Sequence, residues 1–219
     1  MFDAFALAVA IIPLSSYLLV LGTIRVLGKT LVLTGARDWV ALFMAMSGFV
    51  VIGPVELFFP RAAAAILHGY VWIPILILYV LIMLLVCLTS RPRIVVYGRS
   101  PEQVFEALRQ VGSETGGLVK VEPESGILVL DGPKVHMRVE GIRMHDATSV
   151  LFLESQVLPS TLENLTTALQ RKLTGTGVIR PRQGWGMLLS SLASLGILVA
   201  IAASEPSQMV ASLRAFLFR

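Results

Sequence analysis

Few residues in this chain are placed to do chemistry, and Glu56 is the sharpest of them. It is the only ionisable residue well inside an apolar stretch, and Gly53 and Pro54 stand just before it. A carboxylate in hydrocarbon is costly unless it is paired or hydrated, so it marks a cation or proton site, or a polar contact between subunits. Pro54 has no amide hydrogen and leaves the carbonyl of Val50 without its helical donor. Such irregular backbone survives at membrane depth only against protein or a water-filled cavity. Counted from Trp39 at a helical rise of 1.5 Å, Glu56 lies about 26 Å along, near the far interface. Gly53, Pro54 and Glu56 are therefore the candidate pore or intramembrane polar site. The plainer alternative is a carboxylate reaching the outer surface beside Arg61.

The histidines are His68, His136 and His145, the last followed by Asp146. If the chain turned back at Gly141, His136, His145 and Asp146 could offer three metal ligands; a solvent-facing strand histidine and a turn His-Asp pair explain the same residues. Cys87 stands alone among Leu84, Leu85, Val86 and Leu88 and reads as a small apolar residue. No nucleophile elbow, zinc-protease helix, paired CxxC, P-loop or dinucleotide fingerprint occurs. No acid, base and nucleophile converge at one interface, so the chain leans away from an enzyme and specifies no cofactor.

The elements that must position these residues are set by a composition of 55% hydrophobic and 15% charged residues, against roughly 25% charged in soluble domains. A crossing needs about 20 mostly apolar residues. Four segments meet that need: 4–27, 39–59, 70–88 and 184–204. The first has no basic leader and a longer apolar run than a signal peptide, so it reads as an uncleaved span. Lys and Arg collect on cytoplasmic flanks. Ten of them (Arg25, Lys29, Arg37, Arg91, Arg93, Arg99, Arg171, Lys172, Arg180, Arg182) fall on one side, against Arg61, Arg214 and Arg219 on the other. Both termini are expected outside and residues 91–183 in the cytoplasm, an arrangement that suits a bacterial inner membrane. Trp39 and Trp185 would mark one interface, and Phe58, Phe59, Tyr70 and Trp72 the other.

Small residues recur four apart at Ala41 and Ala45, at Gly186, Ser190 and Ser194, and at Gly196 and Ala200, a spacing that lets helix backbones approach closely in lipid. Pro13, followed by Ser15, Ser16 and Tyr17, predicts a kink in the first span with hydroxyls to satisfy freed carbonyls.

Between 91 and 183 the pattern changes to short alternating runs, which predicts a folded α+β domain. A strand at 93–98 precedes Ser100, Pro101, Glu102 and Gln103, a capping box with proline at the first helical position. That helix should stop at Gly112. Strands at 118–122, 127–131, 134–140 and 148–154 follow, and Pro159, Ser160 and Glu163 suggest a second capping box opening a helix striped by Leu162, Leu165, Leu169 and Leu173. The order is βαββββα, a two-layer domain with both helices on one face of an antiparallel-rich sheet. Residues 100–170 carry ten acids and five bases, so the basic charge is juxtamembrane. Arg91, Arg93, Arg180 and Arg182 are read as contacts to lipid headgroups, and nucleic acid is excluded as a partner.

Residues 205–219 carry Met209, Val210, Leu213, Phe216 and Leu217 on one stripe and read as an amphipathic helix on the outer leaflet. The expected architecture is four transmembrane helices with the α+β domain inserted before the last. The expected partners are the bilayer and either copies of the same chain or other subunits of a membrane complex. Three functions fit, in order: a non-enzymatic protein whose cytoplasmic domain senses, scaffolds or supports a larger assembly; a homo-oligomeric pore with Glu56 near its outer mouth; and a membrane enzyme acting on lipid. A solitary coupled transporter is disfavoured by the single intramembrane carboxylate and the absence of repeats.

Overall fold

A computed structural model describes residues 4–55, 70, 72–114, 119–122, 127–130, 135–141, 147–153, 157–174, 181–204, 206–207, 210–211 and 214. In chain order the elements are helix α1 (Ala4–Val26), strand β1 (Leu31–Thr34), helix α2 (Gly35–Val50) with a π-helical turn after it (Val51–Val55), helix α3 (Trp72–Thr89), strand β2 (Arg93–Tyr97), helix α4 (Pro101–Glu114), strands β3 (Val119–Glu122), β4 (Ile127–Leu130), β5 (Val135–Gly141) and β6 (Ala147–Phe152), helix α5 (Pro159–Leu173) and helix α6 (Pro181–Ser204). Three helical stretches, Phe5–Val26, Gly35–Gly53 and Gly184–Ser204, are long and apolar enough to cross a membrane, whereas Ile73–Thr89 is apolar but shorter. The chain divides into two compact units: residues 1–22, 39–86 and 185–219, and residues 23–38 and 87–184.

The first unit is helical, and its contacts follow from small residues. Pro13 deprives the carbonyl of Val9 of its helical donor. That carbonyl faces Gly48 of α2, where an added Cβ would collide with Val9 O and sit 2.8 Å from Val9 C and 2.9 Å from Ala10 Cα. Ala8, Ala10 and Ala45 are buried in the same unit. Helix α1 runs through Pro13 without a break, and the Ser16 hydroxyl donates to Ile12 O at 2.8 Å. Helix α6 meets α1 where buried Ser191 donates its hydroxyl to Ser15 O at 2.7 Å. Helix α3 meets α2 where the Tyr79 hydroxyl donates to Phe43 O at 2.6 Å and the two rings stand edge to face, 6.0 Å between centroids.

These contacts change the reading of the small-residue stripes. Ala45 is buried and Ala41 half-buried, but Gly48 makes the tightest approach. On α6, Gly186, Ser190, Gly196 and Ala200 are exposed and Ser194 half-buried, while Gly184, Ser191 and Leu198 are buried. The inner face of α6 repeats every seven residues, as helix–helix seams do, so a four-residue count from Gly186 drifts off it.

The second unit is built on a six-stranded antiparallel sheet in the order β1-β2-β6-β5-β4-β3. Strands β3 to β6 form a meander, and β2 pairs with β6. The registers Ile94↔Val150, Val96↔Thr148, Met137↔Phe152 and Leu128↔Met137 put one set of alternating residues on a common face. That face carries the core, closed by Val104, Leu108 and Val111 of α4 and by Leu165, Leu169 and Leu173 of α5. Both helices therefore cover the same face of the sheet.

Local signals explain most boundaries. Pro101 opens α4, and the amide of Ser100 donates to Gln103 Oε1 at 3.3 Å, the returning half of a capping box. Gly112 does not end α4: it is buried inside the helix, which continues to Glu114. The second capping box is absent. Helix α5 starts with Pro159 at its first position, the residue before it is Leu158, and no side chain caps it, so Ser160 lies two residues past the capping position. The expected tail helix falls mostly outside the described residues; Pro206, Ser207, Val210, Ala211 and Arg214 are helical.

The main departure is β1. The connection between α1 and α2 is an edge strand paired along Leu31↔Tyr97, Val32↔Val96, Leu33↔Val95 and Thr34↔Ile94. The domain thus includes residues outside 91–183.

Candidate functional site

The polar side chains of the second unit concentrate around β1, on both faces of the sheet and along its free edge. On the edge, the side-chain amide of Gln170 accepts from the Val32 amide at 3.0 Å and donates to Thr30 O at 3.2 Å. One residue of a parallel strand would make the same two bonds, so α5 closes an edge that would otherwise invite pairing with another chain.

On the inner side, Arg99 is 1% exposed. Its Nε–H donates to Thr30 Oγ1 at 2.7 Å and its Nη2–H donates to Leu173 O, the last carbonyl of α5, which also accepts from Thr30 Oγ1 at 3.2 Å. A cation at a helix C-terminus is favourable with the helix dipole. Burial still pushes the Arg99 pKa below the ordinary guanidinium value, because desolvation disfavours the charged form. The carbonyl of Arg99 accepts from the buried Thr148 hydroxyl at 3.0 Å, which ties the network to β6. Gly98 supplies the corner with a φ of +86°, and a Cβ there would lie 2.8 Å from Lys29 O.

On the outer face, Arg93 and Tyr97 flank Val95 on β2 and both reach Asp38 in the first turn of α2: Arg93 Nη2 at 3.1 Å and the Tyr97 hydroxyl at 2.6 Å. An acid in a first helical turn is also stabilised by the helix dipole. Asp38, Thr30 and Gln170 were not singled out from sequence. The available signal was an acid beside Trp39 at the start of an apolar helix; nothing local announced Thr30 or Gln170.

Beside these contacts lies an open cleft of about 670 Å³, contained in the second unit. Its charged lining is Arg37, Arg91, Arg93 and Glu163, and Thr34, Ser90, Thr166 and Thr167 contribute hydroxyls. Cys87 stands at its wall, with its thiol 3.8 Å from Ala36 O.

The residues nominated from sequence distribute as follows. Gly53 and Pro54 fall in the π-helical turn Val51–Val55, so the backbone is irregular where proline removes a donor, while Glu56 lies outside the described residues. Nothing stands within 4 Å of a Cβ added at Gly53. Of the four arginines assigned to headgroups, Arg91 is exposed at the cleft and Arg93 is held by Asp38; Arg180 lies outside the described residues and only the backbone of Arg182 is described. His136 is exposed on β5 with its carbonyl accepting from Leu153, about 17 Å down the strand from Gly141 at the usual rise per residue. His145 and Asp146 lie outside the described residues, and among those described no three His, Cys, Asp or Glu cluster to hold a metal. What the arrangement around β1 can do is mechanical: it fastens the connection between two apolar helices to a folded sheet. No family model, no curated protein and no solved structure matches the chain.

Proposed function

We propose that the chain is a non-enzymatic polytopic membrane protein with four crossings, whose cytoplasmic α+β domain senses, scaffolds or supports a larger membrane assembly. The observation that carries this reading is β1. The segment joining α1 to α2 is itself a strand of the sheet, β2 follows α3 after three residues, and α5 leads on to α6. Displacement of the domain by a partner would act on every membrane helix through short or hydrogen-bonded connections. Coupling between distant sites needs such contiguous elements. In this reading α3, 18 residues and about 27 Å long at the helical rise, is the third crossing, both termini lie outside, the membrane is a bacterial inner membrane and the working form is a homo-oligomer or a subunit of a complex.

A second reading, a homo-oligomeric pore, is favoured by the π-helical turn directly before Glu56, because π turns recur at functional sites and one carboxylate per subunit becomes a ring. The two separate in one preparation. The detergent-purified particle is analysed for co-purifying chains and then reconstituted in liposomes. A scaffold gives defined partner chains in fixed stoichiometry and no cation flux. Flux that Glu56→Gln abolishes overturns the scaffold in favour of the pore.

A further inference from the structure

The cleft beside β1 has a lining that no packing role explains. Arg37 and Arg91 are both exposed, and among the described residues neither has an ion-pair partner. Arg93, in contrast, is already held by Asp38. Against Arg37 and Arg91 the cleft sets one acid, Glu163, so its free charge is positive although residues 100–170 are net acidic. Ser90, Thr166 and Thr167 donate their hydroxyl hydrogens to the carbonyls of Cys87, Leu162 and Glu163 at 3.0, 2.6 and 2.9 Å, which leaves Thr34 as the hydroxyl donor suited to a phosphate oxygen. One rim is apolar: Leu88, on the last turn of α3, is 82% exposed. An arginine pair with the Thr34 hydroxyl at one end and the bare Leu88 at the other matches an amphiphile rather than a soluble anion. The volume of about 670 Å³ is within the range of small-molecule sites.

We propose that this cleft binds the phosphate of one anionic phospholipid between Arg37 and Arg91, with the lipid's acyl chains leaving past Leu88. The proposal rests on the membrane-embedded reading above. Glu163 opposes the ligand and tunes its affinity downward.

The test uses the full chain in mild detergent, titrated with phosphatidylglycerol, phosphatidylcholine or inorganic phosphate and followed by native mass spectrometry. One phosphatidylglycerol per chain is expected, bound at least about tenfold more tightly than phosphatidylcholine, with Arg37→Ala and Arg91→Ala each weakening it about fivefold. Glu163→Gln should tighten it about two- to threefold, a gain that an unfolded variant could not produce. Lys172→Ala, which removes a partner of Glu114 away from the cleft, should leave binding unchanged. Equal binding of phosphatidylcholine, full retention of phosphatidylglycerol by the Arg37→Ala, Arg91→Ala double variant, or displacement by inorganic phosphate at the lipid's concentration overturns the proposal. A carbonate wash of the membranes separates the two readings: a chain that resists extraction but lacks the lipid preference sinks the cleft alone, and a chain that is released sinks both.

Discussion

Replacing Arg99 by methionine tests whether the buried guanidinium fastens β1 and α5 to the sheet. The methionine keeps an apolar side chain in the space but removes the donors to Thr30 Oγ1 and to Leu173 O. Hydrogen bonds from a charged donor contribute about 1.5 to 3 kcal/mol each, so the gross loss is about 3 to 6 kcal/mol. Part of this is returned, because burial desolvates the charge, as the lowered Arg99 pKa reflects. The expected net destabilisation is about 2 to 4 kcal/mol, concentrated on β1 and the end of α5. Amide hydrogen exchange on the detergent-purified chain should read it as about 30- to 700-fold faster exchange in Leu31–Thr34 and in the last turn of α5, with β3 and β4 little changed. Exchange in β1 at the wild-type rate would refute the fastening role, and so would equal acceleration in all six strands. The sign with pH is also fixed. A base whose folded pKa lies below its unfolded one is penalised while charged, and relief comes only as pH rises through the folded value. Because arginine stays protonated far above neutrality, the Arg99 contribution should be flat from about pH 6 to 9.

Asp38→Asn should cost about 1 to 2 kcal/mol in thermal or denaturant unfolding, since it removes the charge facing Arg93 but keeps an acceptor for Tyr97; no loss would mean the contact is only superficial. Gly48→Val should destabilise the helical unit by about 1 to 3 kcal/mol or more, because its side chain meets the α1 backbone at Val9, whereas Gly53→Ala should be neutral or better. Equal melting temperatures for these two variants would refute the close approach. Ser191→Ala should cost about 0.6 kcal/mol and no more than about 1.7, while Ser190→Ala, on the exposed side, should cost nothing measurable; the reverse order would refute the assigned inner face of α6.

Much of the second unit was legible because its local signals agree with its tertiary structure. The clean alternation Val135, Met137, Val139 lies on the core face or partly against it, and Leu165, Leu169 and Leu173 are buried as their spacing implies. Where two local rules competed, sequence reading chose the commoner one. Gly112 looked like a helix stop, but α4 continues through it to Glu114 with Gly112 buried. Strand β1 was not legible for a different reason. Four residues between two helices carry no period that can be counted, and their partners, Arg93–Tyr97 and Gln170, lie far along the chain. The stripe on α6 failed by a single residue, since spacing alone gives no phase and only the hydroxyl of Ser191 against Ser15 fixes it. The cleft combined positions remote in sequence, so Arg91 could be nominated but its pairing with Arg37 could not.

The position of β1 in the chain bears on how the protein is made. Leu31–Thr34 is synthesised about sixty residues before Arg93–Tyr97, and the glutamine that closes its edge comes later still. During that interval translation yields two apolar helices joined by an unpaired strand, with no sheet yet to receive it. Loop closure must then bring this strand to β2 after α3 has been made, a long-range step that cannot begin until Arg93–Tyr97 has been synthesised. Shortened nascent chains ending before Arg93 should therefore hold the strand exposed to chaperones or proteases, and those ending before Gln170 should leave its free edge uncovered.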